Sequence, residues 1–80
     1  MSWFDFLQIE ADLAMTFIDS ARIHLTPGAS AISLGNARKA LAQIERGLMR
    51  PASHGLSENE VLVLEQRRAQ IEAVLATFSI

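Results

Sequence analysis

The stretch from Asn36 to Leu48 constrains the fold more than any other part of the chain. Its apolar residues recur at i, i+4, i+7 and i+11, which is the spacing of one helical face: Ala37, Leu41, Ile44 and Leu48. Ala40 and Gly47 flank this face, and such small residues allow a neighbouring helix to approach closely. We therefore predict that this stretch is the middle helix of a three-helix unit.

Turn and capping residues divide the rest of the chain. The sequence Thr26-Pro27-Gly28 is predicted to end a first helix over residues 3–25, because the residue before a proline disfavours helical backbone. We expect a loop or a loose first turn at residues 26–33, and a second helix over residues 31–50 that ends there because Pro51 follows. Ser30 or Ser33 is the expected cap of this second helix, and the sequence does not choose between them.

The third helix is predicted over residues 58–78 and opens with a capping box, because Ser57 is followed by Glu60 three residues later. The chain of 80 residues has no strand-like alternation. We therefore expect one all-α domain, residues 1–80, that folds as an up-down-up three-helix bundle.

The first helix carries two apolar seams, which predict two helical neighbours. The first seam comprises Leu7, Ala11, Ala14, Ile18, Ala21 and Leu25. The second comprises Trp3, Phe6, Leu13 and Phe17, continued by Glu10, Ser20 and His24. Arg68 occupies a seam position of the third helix at a height similar to that of Glu10. We predict that Glu10 and Arg68 form a partly buried ion pair, with Glu65 and Glu72 as competing local partners of Arg68.

The outer face of the third helix is predicted to be a contact surface. At about 100° per residue, four apolar residues fall opposite the core seam, where a solvated helix normally carries charges. These residues are Leu62, Ala69, Ala73 and Ala76. A second helix could pack closely there, either in a homodimer or from another protein. The alternative is that alanine occurs here only as a strong helix former.

Positive charge is concentrated on the second helix, although the chain has a net charge of −2. Lys39, Arg46 and Arg50 recur at i, i+7 and i+11 and form a basic stripe. The stripe either complements the acidic neighbouring helices or docks an acidic ligand or nucleic acid. The acidic net charge and the lack of aromatic residues on this helix argue against nucleic acid.

The sequence offers no catalytic or cofactor-binding constellation. His24 and His54 are the only histidines, and neither has a carboxylate or serine at a recognisable spacing. Asp5, Asp12 and Asp19 are too widely spaced for one metal ion. We therefore expect no enzymatic activity, no cofactor and no metal site.

Cellular location is inferred from what the chain lacks. It has no cysteine, no basic segment before its first apolar residues and no apolar run of membrane-spanning length. We expect a cytoplasmic protein that does not contact a membrane.

Two families have a similar helical layout. Leu13-Ala14-x-x-Phe17, with Ala37, Leu41 and Ile44, resembles the packing signature of a tetratricopeptide helix pair, although the stretch between the two halves is about a dozen residues too long. The size and three-helix layout also resemble microtubule-interacting-and-trafficking (MIT) domains. Both resemblances imply an interaction module that binds peptides or helices. In the tetratricopeptide resemblance, Ser57 to Phe78 looks like the solvating helix that ends such arrays.

These observations predict a non-catalytic scaffold or adaptor that binds another protein or itself. The alternatives are a basic helix face that docks an acidic ligand or nucleic acid, and an accessory subunit that completes an enzyme's site.

Overall fold

Three α-helices make up the computed structural model, which describes residues 1–23 and 26–78. They are α1 (Trp3–Ile23), α2 (Pro27–Met49) and α3 (Glu58–Ala76), and a 3-10 turn at Ala52–His54 links α2 to α3. All three helices pack against one another, and no strand occurs in the described ranges. The predicted all-α three-helix bundle is confirmed.

Two contacts at opposite ends of the bundle establish the up-down-up order. The ring of Trp3, at the start of α1, lies 4.4 Å from the ring of His54, just beyond the end of α2. The guanidinium of Arg22, near the end of α1, lies 5.9 Å from the ring of Phe78, just beyond the end of α3. Therefore α1 and α3 run in the same direction, and α2 runs antiparallel to both.

The second helix begins earlier than the sequence predicted. Pro27 is its first residue, and the hydroxyl of Thr26 accepts a hydrogen bond from the Ala29 amide at 3.3 Å. Proline suits the first helical position because its fixed φ is already helical and its missing N–H would have no partner there. Residues 27–33 are therefore regular helix and not the predicted loop or loose first turn, and the predicted cap at Ser30 or Ser33 is wrong. Ser30 instead donates to the carbonyl of Ala21 at 3.1 Å.

The other helix ends lie close to their predicted positions. The predicted end of the first helix, at residues 24–25, lies outside the described residues. The end of α2 is one residue short of the predicted 50, and α3 ends two residues before the predicted 78. The capping box of α3 is confirmed, because Ser57 Oγ accepts from the Glu60 amide at 3.1 Å and Glu60 Oε1 accepts from the Ser57 amide at 2.9 Å.

Small residues dominate the contact between α1 and α2, which is more extensive than the contact of either helix with α3. Leu7 on α1 lies against Gly47 on α2, where a β-carbon would overlap with the leucine side chain. Larger side chains fill the remaining space beneath α3. The buried core comprises Leu7, Ala11, Ala14, Ile18, Ala21, Ala37, Ala40, Leu41, Ile44, Leu64, Ile71 and Leu75.

Candidate interaction surfaces

Arg67 fixes the side of α1 on which α3 lies. Its guanidinium donates to Oδ1 of Asp12 at 2.8 Å and to Oε1 of Gln8 at 3.3 Å. Gln8 and Asp12 are four residues apart and therefore share one side of α1. Glu10 lies about 160° around the helix from Asp12, at about 100° per residue. It lines the groove between α1 and α2 and faces away from α3.

The predicted ion pair between Glu10 and Arg68 is therefore not formed. Nε of Arg68 lies 3.8 Å from Oε1 of Glu72, one turn further along α3. The pair that joins α1 to α3 is Asp12 with Arg67, which is largely exposed on its carboxylate side. The sequence pattern predicts that Arg68, at the centre of the α3 seam, pairs with α1. The residue that does so is its neighbour Arg67, at the edge of that seam.

The position of α3 leaves the second apolar seam of α1 partly uncovered. Trp3, Ile9 and Leu13 are 48%, 44% and 41% exposed, and Phe6 and Phe17 are half-buried. These five residues are called the α1 row below. Trp3 and Phe6 pack edge to face, with ring centroids 5.5 Å apart. The helix α1 has two helical neighbours, as predicted, but the second one, α3, packs on the opposite flank of α1 and leaves this seam partly uncovered.

The basic stripe lies beside the α1 row, across an open groove. Lys39, Arg46 and Arg50 are all exposed on α2. The groove is lined by Glu10 and Phe17 from α1 and by Asn36, Lys39, Ala40 and Gln43 from α2. Among the residues that the structure describes, no carboxylate lies within ion-pair distance of the three basic side chains. The stripe is thus available to an acidic group from outside the chain.

The predicted contact face of α3 is exposed along its length. Leu62 is 56% exposed, and Ala69, Ala73 and Ala76 are also exposed. Buried Leu64, Ile71 and Leu75 lie on the other side of the helix. This face, called the α3 outer face below, consists of Leu62 near the start of α3 and three alanines further along it, with the exposed Glu65 at its edge.

His54 has structural contacts in the link after α2. Its Nδ1–H donates to the carbonyl of Arg50 at 3.0 Å, and its ring packs against Trp3. The other histidine, His24, lies outside the described residues. Over residues 1–23 and 26–78, no three histidine or acidic side chains come together as a possible metal site. None of the helices in the same ranges is long and apolar enough to cross a membrane.

Comparisons with protein-family models, with curated proteins and with solved structures find no match to this chain.

Proposed function

We propose that this chain is a non-catalytic, cytoplasmic protein-interaction module, and that it binds a helix of another protein or of a second copy. The observation that carries the proposal is the α3 outer face. Leu62 is more than half exposed there, and Ala69, Ala73 and Ala76 continue the face further along the helix, opposite the side that is buried in the core. Small side chains allow two helix backbones to approach closely, and a partner helix can then bury the leucine. Alanine has no side-chain rotamers to lose, so this binding costs little conformational entropy.

A charge placed on the α3 outer face tests the proposal. Leu62→Glu and Ala69→Glu should leave the fold intact, since both positions are exposed, and should weaken binding by burying an unpaired carboxylate. The measurements are circular dichroism, sedimentation velocity and the set of proteins that co-purify with the chain from its source cells. The matched control is Gln70→Glu, which adds the same charge at an exposed position of α3 outside this face.

The proposed face is supported if self-association or a co-purifying protein is lost in both variants and kept in the control. It is wrong if both variants sediment like the parent and recover the same proteins.

The absence of catalysis is tested separately. A hydrolase and phosphatase panel on clean protein should give no activity. Activity that disappears in His54→Ala or His24→Ala would contradict the non-catalytic proposal.

A basic face that docks an acidic ligand is the second candidate. It is favoured by the three exposed cations of the stripe, Lys39, Arg46 and Arg50, which have no ion-pair partner within the described part of the chain. An acidic polymer such as heparin is the probe, and its binding should weaken steeply with added salt because exposed charges are screened. Lys39→Gln with Arg46→Gln should abolish such binding, whereas Arg38→Gln, outside the stripe, should not.

A further inference from the structure

The α1 row lies between two flanks of opposite charge. The basic stripe of α2, Lys39, Arg46 and Arg50, lies on one side of it across the groove. Asp5, Asp12 and Asp19 lie on the other side, about 100–140° around α1 from the centre of the row. All three aspartates are exposed. The row therefore has an apolar centre, a basic edge and an acidic edge.

We propose that a second copy of this chain covers the α1 row, in a twofold dimer whose two α1 helices run parallel. The proposal rests on the proposed function, because it names the partner of an interaction module. It uses a surface other than the α3 outer face.

Charge complementarity selects both the partner and the orientation. A twofold axis that runs along α1, through the centre of the row, exchanges the two edges of the surface. The acidic edge of each copy then faces the basic edge of the other copy, and the favourable contact occurs twice. An axis perpendicular to α1 within the interface would make the helices antiparallel and would place acidic edge against acidic edge.

The heights of the charges agree with the parallel arrangement. The contact of Leu7 with Gly47 sets the antiparallel register of α1 and α2. Measured along the helix axes at about 1.5 Å per residue, Asp5 then lies within about 2 Å of the level of Arg50, and Asp19 lies about 6 Å from the level of Lys39. Asp12 already accepts from Arg67 but is 70% exposed in its side chain, so it can accept from a second cation.

Cysteine cross-linking tests the orientation, because the native chain contains no cysteine. Phe6→Cys and Leu13→Cys place thiols near the centre of the row, seven residues or about 10 Å apart along the helix. A disulfide requires Cα atoms within about 7 Å. In the parallel dimer each variant links to its own kind under mild oxidation. In an antiparallel dimer at most one of them can do so.

Two further variants control the cross-linking. Gln70→Cys on α3 should stay unlinked because it is exposed and away from the row. Leu62→Glu, which disrupts the α3 outer face, should leave both row cross-links unchanged when combined with either cysteine variant. Failure of the proposed function and failure of this inference are therefore distinguishable. Leu13→Glu should lower the dimer population in sedimentation while keeping the helical circular dichroism.

Charge reversal tests the pairing of the edges without altering the apolar row. Asp19→Lys and Lys39→Glu should each weaken self-association about fivefold to tenfold, because like charges then face each other twice. Mixing the two variants should restore association, because opposite charges then meet on both sides of the mixed dimer. On one side the introduced lysine faces the introduced glutamate, and on the other side the native Asp19 of one chain faces the native Lys39 of the other.

Three outcomes would overturn the inference. The first is that the parent protein stays monomeric at its highest soluble concentration. The second is that at most one of the two row variants, Phe6→Cys and Leu13→Cys, forms a cross-link. The third is that mixing the Asp19→Lys and Lys39→Glu chains does not restore association. A monomeric parent that loses a co-purifying protein on Leu13→Glu would assign the row to a helix of another protein instead.

Discussion

Leu7 of α1 packs directly onto the backbone of α2 at Gly47. Leu7 is fully buried, and a β-carbon on Gly47 would overlap with its Cδ1 atom. The backbone of Gly47 has no positive φ, so a larger residue is disfavoured there by contact with the buried Leu7 side chain and not by an unusual conformation. This contact also sets the register of the α1–α2 pair.

Gly47→Ala is therefore expected to be less stable than Gly35→Ala, although both glycines lie within α2. Alanine favours a helix interior over glycine by about 1 kcal/mol. At Gly35 nothing lies within 4 Å of an added β-carbon, so the variant should gain most of that amount. At Gly47 the overlap with Leu7 costs about 1–3 kcal/mol and should outweigh the gain. Chemical denaturation of the two variants measures the difference.

A double-mutant cycle attributes the loss to Leu7. Leu7→Ala leaves space for a methyl group, so Gly47→Ala should become neutral or stabilising in that background. An equal cost of Gly47→Ala in both backgrounds would contradict the packing described here.

The helix pair could be predicted from the sequence because its signals are local. The face of Ala37, Leu41 and Ile44, with Ala40 and Gly47 beside it, specifies a helix that a neighbour approaches closely, and all five residues are buried. The predicted start of α2 is wrong because proline ends a preceding helix and opens a following one equally well. The hydrogen bonds from the Ala29 amide to the Thr26 hydroxyl and from the Ser30 amide to the Thr26 carbonyl show that Pro27 begins a helix here.

The uncovered α1 row could not be predicted in the same way. Periodicity gives the width of the apolar surface of α1 but does not say which edge the third helix covers. On the side of α1 that faces α3, together with Gln8 and Asp12, Met15 packs against the core. On the opposite side of α1, Leu13 remains 41% exposed. The choice of side depends on contacts between residues far apart in sequence, such as Arg67 with Asp12.

The interhelical pair of Asp12 and Arg67 should show coupling in a double-mutant cycle, unlike Glu10 with Arg68. The Asp12 carboxylate is mostly exposed, so we expect a coupling energy of under about 1 kcal/mol. Glu10→Ala and Arg68→Ala should be additive, because Glu10 faces the opposite side of α1. Urea denaturation of the parent, the single variants and the two double variants measures both cycles. A clear coupling between Glu10 and Arg68 would contradict the observed position of α3.

Arg68→Met should leave stability unchanged or raise it by up to about 1 kcal/mol. Nε of Arg68 is buried without a hydrogen-bond partner, and an unsatisfied polar group of this kind costs about 1–3 kcal/mol. Methionine keeps the length of the apolar stem beside the core and removes the polar atom. The pair with Glu72 is part-exposed and offsets little of the gain. Arg67→Met is the matched control and should be destabilising, because Arg67 makes two hydrogen bonds to α1.

Loss of the two N-caps should have unequal costs. Ser57 takes part in two reciprocal hydrogen bonds with Glu60, at 3.1 and 2.9 Å, whereas Thr26 accepts one longer bond from Ala29, at 3.3 Å. Removing a cap costs about 0.5–2 kcal/mol. We expect Ser57→Ala to fall near the middle of that range and Thr26→Ala near its lower end, because Pro27 still favours the helix start.

Thermal unfolding separates these two caps in a chain of this size, where 1 kcal/mol shifts the midpoint by about 4–8 °C. Ser57→Gly should cost only a few tenths of a kcal/mol, since glycine leaves the amides at the start of α3 open to water. Each of Glu60→Ala and Ser57→Ala removes one of the two bonds, and Glu60→Ala should cause the smaller loss because the Ser57 amide lies at the exposed cap position and can donate to water instead. A cost for Thr26→Ala equal to that of Ser57→Ala would show that the proline contributes nothing to the start of α2.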